Sequence, residues 1–427
     1  MTLAIIVEMV ASPVVKILTR KSNASESSSS FYALSGDKIL LKNSSENTLQ
    51  VCVAHPETKR WTSVAALSSD EKLLAVCDCE KNLYLYEISS TDPTKLSLKS
   101  VPMRLAKTAT SVKFTSYPSE WTVLVADKFG DVLRFQIEEE FEFDRWAQES
   151  QKDAKSLSIH SKSYHGKRTS SEANDEGEAC EGNVEAEESE GGVSLETSEA
   201  HNSTIIGHIS MITDLQVLSI INSPELIVTC DRDEKVRLTR ADRPEIIHSF
   251  GLGHREFVGT LAVNDATGCI YSAGGDNFIA EWKVDGDKLN LIGKIGVKDG
   301  LEGIIQEIKI DSSGKSLFAH VEGFGILHYI KNNEIWTLES YHEIKGITAF
   351  EIGFDGCFFA ATWCPKSGVS FYNTDICISE EIINEISCCS VEEAVEIIDS
   401  MSKSKLKKDV ERMDWKQKKH ANQKPRN

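Results

Sequence analysis

Residues 207–258 read GHISMITDLQVLSIINSPELIVTCDRDEKVRLTRADRPEIIHSFGLGHREFV. A Gly-His pair opens the stretch at Gly207-His208, and a second, Gly253-His254, follows 46 residues later. Between them lie three β-rich runs. A turn, Asp231-Arg232-Asp233-Glu234-Lys235, separates the second run from the third. Arg232, Asp233, Glu234, Lys235 and Arg237 place five charges within six residues. Strand alternation sends Val236 and Leu238 to one side, and Arg237 with Thr239 to the other.

Gly-His pairs at this interval mark the blades of WD-repeat propellers, whose period is roughly 40–45 residues. The third strand of such a blade starts after a tight turn, with an apolar residue at +3 and an aromatic at +6. Asp276, Ile279 and Trp282 satisfy that ruler. So do Glu80, Leu83 and Tyr86, then Phe129, Val132 and Phe135. In the opening stretch the same positions are Asp233, Val236 and Thr239. Weaker matches are NSSENTLQVC ending at Cys52, VEGFGILHY ending at Tyr329 and CPKSGVSFY ending near Phe371. These seven third strands predict an all-β, seven-bladed propeller whose closed ring removes exposed sheet edges. The first 20 residues are expected to supply an outer strand pairing with the last blade. Their β-branched alternation reads as strand, and Glu8 with no preceding positive region argues against a signal peptide.

The ring is interrupted once. Residues 138–203 carry 18 acids and 6 bases, and 170–203 contain no Lys or Arg. Such composition predicts disorder. The chain therefore divides into N-terminal blades (1–137), an acidic insert (138–203), C-terminal blades (204–386) and a C-terminal helix with a basic tail (387–427). Ser390 and Glu393 form a capping box, followed by Val391, Ala394, Val395, Ile398 and Met401 at helical spacing. Leu406, Val410 and Met413 continue an apolar stripe among 10 bases and 3 acids in residues 401–427. This tail reads equally as a solvated helix, an RNA or partner contact, or a nuclear localisation signal.

The net charge of −19 gives no overall attraction to nucleic acid. Eleven cysteines without a CxxC pair argue against a zinc cluster or disulfide framework. No nucleotide-binding, metalloprotease or serine-hydrolase signature is present. His208 and His254 read as structural, holding strand connections. His208 with Asp214 has the spacing of an internal polar network, and Thr260 at the matching place leaves the next repeat's network incomplete. Asp78, Asp127 and Asp231 read as Asx-type turn residues. Trp282 reads as core.

The run LIVTCDRDEKVRL followed by FGLGHREFV, together with VLVADKFGDVLRFQI at 123–137, resembles one family. It is that of the WD-repeat, non-catalytic subunits of tRNA (guanine-N7) methyltransferase, the Wuho-type proteins. The resemblance runs through about residues 60–137 and 204–286. It implies a heterodimer in which this chain does no chemistry and binds no cofactor. The partner would carry S-adenosylmethionine and methylate N7 of a guanine in the tRNA variable loop. This chain would hold that partner active and help position tRNA, in the nucleus and also in the cytoplasm. Carried over by position, the docking residues are Glu234, Lys235 and Arg237, with Asp233 and Arg232 adjacent and Lys128, in the matching turn one blade earlier, a lesser candidate. Arg237→Glu is then expected to abolish partner binding while the propeller still melts cooperatively. A second reading is a WD adaptor, such as a ubiquitin-ligase substrate receptor, that takes a peptide across its central opening.

Overall fold

In a computed structural model, the structure describes residues 9–20, 30–43, 49–54, 62–99, 103–119, 122–137, 202–286, 288–297, 301, 303–353, 356–366, 368–372 and 388–406. They form a seven-bladed β-propeller. Blade 1 runs Val14–Arg20, Ser30–Ser35, Lys38–Lys42 and Leu49–Ala54, each strand antiparallel to the next. Blade 2 begins with Thr62–Leu67, Leu73–Asp78 and Asn82–Ile88; Leu96–Leu98 and Met103–Arg104 both pair with the last of these. Blade 3 is Ala109–Thr115, Thr122–Asp127, Asp131–Gln136 and Asn202–Gly207. Blade 4 is Ile212–Leu218, Leu226–Asp231, Lys235–Arg240 and Ile247–Leu252. Blade 5 is Val258–Asn264, Cys269–Gly274, Phe278–Asp285 and Lys288–Gly296. Blade 6 is Ile305–Ile310, Ser316–Val321, Gly325–Asn332 and Ile335–Glu343. Blade 7 shows Ile347–Ile352, Phe358–Cys364 and Gly368–Tyr372 among the described residues.

Six of the seven expected third strands are third strands. The exception is the run ending at Cys52, which is the outer strand Leu49–Ala54 of blade 1. The true third strand, Lys38–Lys42, follows the tight turn at Gly36 (φ 57°). It ends before any aromatic, so the ruler slid past it. The first residues also differ from expectation. Val14–Arg20 is the inner strand of blade 1, and Met9–Ala11 pairs with Cys388–Ser390. The reason is packing: Val14 and Ile17 are fully buried in the seam with blade 7, whereas an outer strand faces solvent on one side.

Seven apolar clusters lie among the described residues, one in each seam between neighbouring blades. Blades 7 and 1 share Phe31, Phe359 and Trp363, so the ring closes by the same packing that joins every other pair. The insert 138–203 joins the third and fourth strands of blade 3, as expected, with the fourth beginning at Asn202. Its remaining residues lie outside the described ones, as does the basic tail beyond Leu406.

The capping box forms. Ser390 Oγ accepts from the Glu393 amide at 3.1 Å, and the Ser390 amide donates to Glu393 Oε2 at 2.9 Å. The helix Val391–Met401 follows. Its buried residues are Ala394 and Ile397; Val395, expected on the apolar face, is 43% exposed. Ala394 packs into the seam of blades 7 and 1, and Ile397 into that of blades 1 and 2. The helix therefore lies across the inner end of blade 1. Among the described residues no helix is long and apolar enough to cross a membrane.

Candidate partner-docking face

The turn after Asp231 is held by that residue's carboxylate. Asp231 Oδ1 accepts from the amides of Asp233 at 2.9 Å and Lys235 at 3.2 Å. Asp78 and Asp127 do the same for the amides of Asn82, and of Phe129 and Asp131. The third residue after each Asp takes a positive φ: Lys81 (70°), Gly130 (99°) and Glu234 (72°). Glu234 adopts it without glycine's freedom, so strain of about 1 kcal/mol is held in the turn. The backbone carrying the charges is thus rigid.

Blade 4 explains why. Asp231 Oδ2 also sits 3.1 Å from His208 Nδ1, and His208 Nε2 is 2.8 Å from Thr229 Oγ1. In blade 5, His254 joins Asp276 at 2.8 Å and Ser272 at 2.7 Å, and Trp282 Nε1 donates to Ser272 Oγ at 2.7 Å. The expected His208–Asp214 pairing and the incomplete second network are therefore corrected. His pairs with the Asp at the turn, and blade 5 has the full four-residue chain. Asp214 instead bridges blades, accepting from Ser111 of blade 3 at 3.0 Å and the Leu261 amide of blade 5 at 2.9 Å. The histidines are structural, and Trp282, 1% exposed, is core.

In blade 4 the position of Trp282 is Thr239. Arg237 fills the space: its Nε donates to Thr239 Oγ1 at 3.0 Å and a terminal nitrogen donates to the Gly207 carbonyl at 3.1 Å. Arg237 is buried, and that burial lowers its pKa. It is aimed into the blade and not outward. Reversing it would bury a carboxylate against a carbonyl, so the expectation that Arg237→Glu spares the fold is corrected.

The other candidates face outward to different degrees. Arg232, Asp233, Glu234 and Lys235 are half-buried and Lys128 is exposed. The Lys235 and Lys128 ammonium groups make no hydrogen bond or ion pair among the described residues. Arg232 Nε donates to the Leu406 carbonyl at 3.1 Å. Leu406 and Lys128 both line the mouth of the central channel, a cavity of about 620 Å³. The turn and Lys128 thus share one face of the ring. Two apolar residues that the charge pattern did not reveal flank the turn. Leu252, opposite Lys235 in the sheet, is 69% exposed, and Ile209 is 96% exposed. Single exposed apolar residues carry no periodic signal, so only geometry shows them beside the charges. Among the described residues no three His, Cys, Asp or Glu gather as a metal ion would need.

Comparison with known proteins agrees with this architecture. A family profile described as the tRNA methyltransferase TRM82 WD40 domain matches residues 16–359. The "tRNA (guanine-N(7)-)-methyltransferase non-catalytic subunit TRM82" of Debaryomyces hansenii is 26% identical over 263 residues, 60% of this chain and 44% of that protein. The Candida glabrata protein of the same name is 26% identical over 220 residues, 51% of this chain and 39% of its own. The "non-catalytic subunit wuho" of Drosophila mojavensis is 31% identical over 187 residues, 40% of this chain and 46% of its own. The matched regions span less than half the length of each of these relatives. The profile, however, covers the ring from the inner strand of blade 1 into blade 7, and by that extent the chain belongs to the TRM82 WD40-domain family.

Proposed function

We propose that this chain is the non-catalytic subunit of a heterodimeric tRNA (guanine-N7) methyltransferase. The supporting observation is the strained turn of blade 4. It presents Arg232 and an uncommitted Lys235 beside exposed Leu252 and Ile209, on a face that also carries Lys128. A fixed array of mixed charges, Arg232, Asp233, Glu234 and Lys235, with Lys128 nearby and apolar Leu252 beside it, suits a complementary charged patch on a partner protein. The partner holds S-adenosylmethionine and transfers the methyl group. This chain fixes the partner in its competent state by binding that state alone. It helps position tRNA within the assembled complex, in the nucleus and also in the cytoplasm.

The adaptor reading requires an open channel mouth for a peptide. Arg and aromatic residues around it would favour that reading; among the described residues no Arg, Phe, Tyr or Trp lines the mouth on the face of the charged turn, and the chain's own Ile398, Met401, Lys403 and Leu406 narrow it.

The test is co-expression with the candidate catalytic subunit and methylation of tRNA in vitro. Lys235→Glu should weaken association about tenfold or more, because a cation at a partner contact becomes repulsive. The melting temperature should hold, since only the Lys235 backbone is committed to the turn. Wild-type association by a well-folded Lys235→Glu chain removes the turn from the interface. Methylation by this chain alone, given methyl donor, would overturn the non-catalytic reading itself.

A further inference from the structure

One side of the channel mouth is lined by a segment whose contacts are more specific than capping requires. After the helix Val391–Met401, Ser402 Oγ donates to Glu322 Oε1 at 2.7 Å. The Lys403 amide donates to Gln306 Oε1 at 3.0 Å, and Lys403 Nζ donates to the Gln306 carbonyl at 2.6 Å. Gln306 lies on the inner strand of blade 6, and Glu322 directly follows that blade's second strand. The Lys403 stem reaches blade 5, where a Cβ built on Gly259 would stand 3.0 Å from its Cδ. Leu406 then accepts from Arg232 of blade 4. Within five residues the segment ties three consecutive blades together across the mouth, and its last bond falls on the docking turn.

We propose that residues 402–406 are a built-in peptide ligand of the channel mouth that positions the 231–235 turn for its partner, with Lys403 as anchor and Arg232 as the linked positioning residue. This rests on the docking reading above and adds to it a second element. Arginine is long and samples many rotamers when unrestrained, so a fixed acceptor at its Nε preorganises the guanidinium before any partner arrives. The carbonyl of Leu406 is that acceptor, and Leu406 is itself placed by the Lys403 anchor. The Arg232 amide is tied independently to the Met211 carbonyl at 3.1 Å. Backbone and side chain are therefore held from opposite sides. The surroundings fit an ammonium: burial lowers the Lys403 pKa, while Asp214 and Glu307 pull it back up.

Hydrogen exchange on the full chain tests this without the partner. Lys403→Glu sets a carboxylate beside Gln306, near Glu307, and should expel the segment. Amide exchange should then rise about tenfold or more in 403–406, while the 232–235 amides, held by Asp231 and Met211, and the inner strands of blades 1 to 6 keep their protection. Affinity for the methyltransferase subunit should fall about tenfold, the cost of restraining a freed arginine side chain on binding. Lys403→Arg, which keeps the cation, should restore both. If the reversal unfolds the blades, Gln306→Ala removes only the Oε1 acceptor and repeats the comparison. Release of 403–406 with unchanged affinity overturns the positioning role, and unchanged exchange of 403–406 in Lys403→Glu overturns the anchor. Failure of the wild-type chain to bind the methyltransferase overturns the docking reading instead, and the exchange experiment still decides whether Lys403 anchors the segment.

Discussion

Arg237 shows what a charge pattern can and cannot say. Five charges in six residues suggested a rim, and four of them are on it. The fifth is two residues along a strand, where alternation settles side but not depth. That Thr239 leaves room for the long side chain was legible, and the arginine uses that room by bonding to Thr239 itself. Its burial was not legible, because it depends on the Gly207 carbonyl, 30 residues away in sequence. Arg237→Met keeps much of the volume and deletes both bonds. It leaves the buried Thr239 hydroxyl and the half-buried Gly207 carbonyl without this donor, at a cost of about 1–3 kcal/mol. Urea unfolding should show that loss in the chain alone. A stability equal to wild type would mean that the guanidinium contributes nothing to blade 4, and would return it to the list of partner contacts.

At the scale of the blade, local text fixed most strands because the third strands of blades 2, 3 and 4 follow Asp-held turns and most others keep the apolar and aromatic spacing. The reading failed at blade 1, whose third strand lacks the aromatic, and in the partner chosen for His208. Asp214 has suitable spacing, but hydrogen-bond partners in a propeller are set by register between strands. In blade 5 the register places Ser272 beside Ala280, two residues from Trp282, and the four-residue chain forms there. The indole also needs space: a Cβ on Gly251 would meet Trp282 at 3.0 Å, and one on Gly253 would meet it at 3.3 Å. The blade 3 counterpart of Gly251 is Ile205, packed in the seam of blades 3 and 4, which suits the smaller Thr239 opposite. His254→Ala removes one partner from each of Ser272 and Asp276, which keep their bonds to Trp282 and to the Arg255 and Glu256 amides, and should cost about 1–3 kcal/mol in chemical unfolding. Burial alone would raise the Asp276 carboxyl, but the His254 bond and charge, with the amides of Arg255 and Glu256, hold it below the usual range. Its folded pKa is depressed, so its contribution is present above the unfolded value of about 4 and is lost as pH falls through the folded one. Asp276→Asn should therefore lower stability at pH 7 and flatten its dependence below about pH 4. A variant that keeps the wild-type acid slope would show that another carboxylate carries it.

Across the whole molecule, the inner strands converge on a lumen whose charges no single blade announces. Lys16 of blade 1 and Lys309 of blade 6 each lie 3.0 Å from Glu307, and Lys309 lies 2.8 Å from Glu351 of blade 7. Burial works against the charged form of Glu307, yet Lys16 and Lys309 hold its carboxyl far below the usual range. Lys113 of blade 3 faces the same lumen and lines a second cavity of about 510 Å³ at the other end. Among the described residues it makes no ion pair or hydrogen bond. Burial pushes its pKa down to about 8; Asp214 opposes that shift, and Lys16 and Lys309 add to it. In sequence Lys113 is one polar residue in an alternating strand. Its isolation exists only once the ring brings blades 1, 6 and 7 opposite it. A half-buried ammonium that makes no ion pair or hydrogen bond among the described residues weakens the fold, so Lys113→Met should stabilise the propeller by about 1 kcal/mol at pH 7. The sign with pH follows from the folded pKa lying below the unfolded value of about 10.4. Between about pH 8 and pH 10 the unfolded chain binds the extra proton, so wild-type stability should rise with pH there, and the gain from Lys113→Met should shrink. Unfolding midpoints of both chains at pH 7 and pH 9.5 check this. A variant less stable at pH 7, or a gain unchanged at the higher pH, would mean that the Lys113 ammonium is already compensated within the lumen.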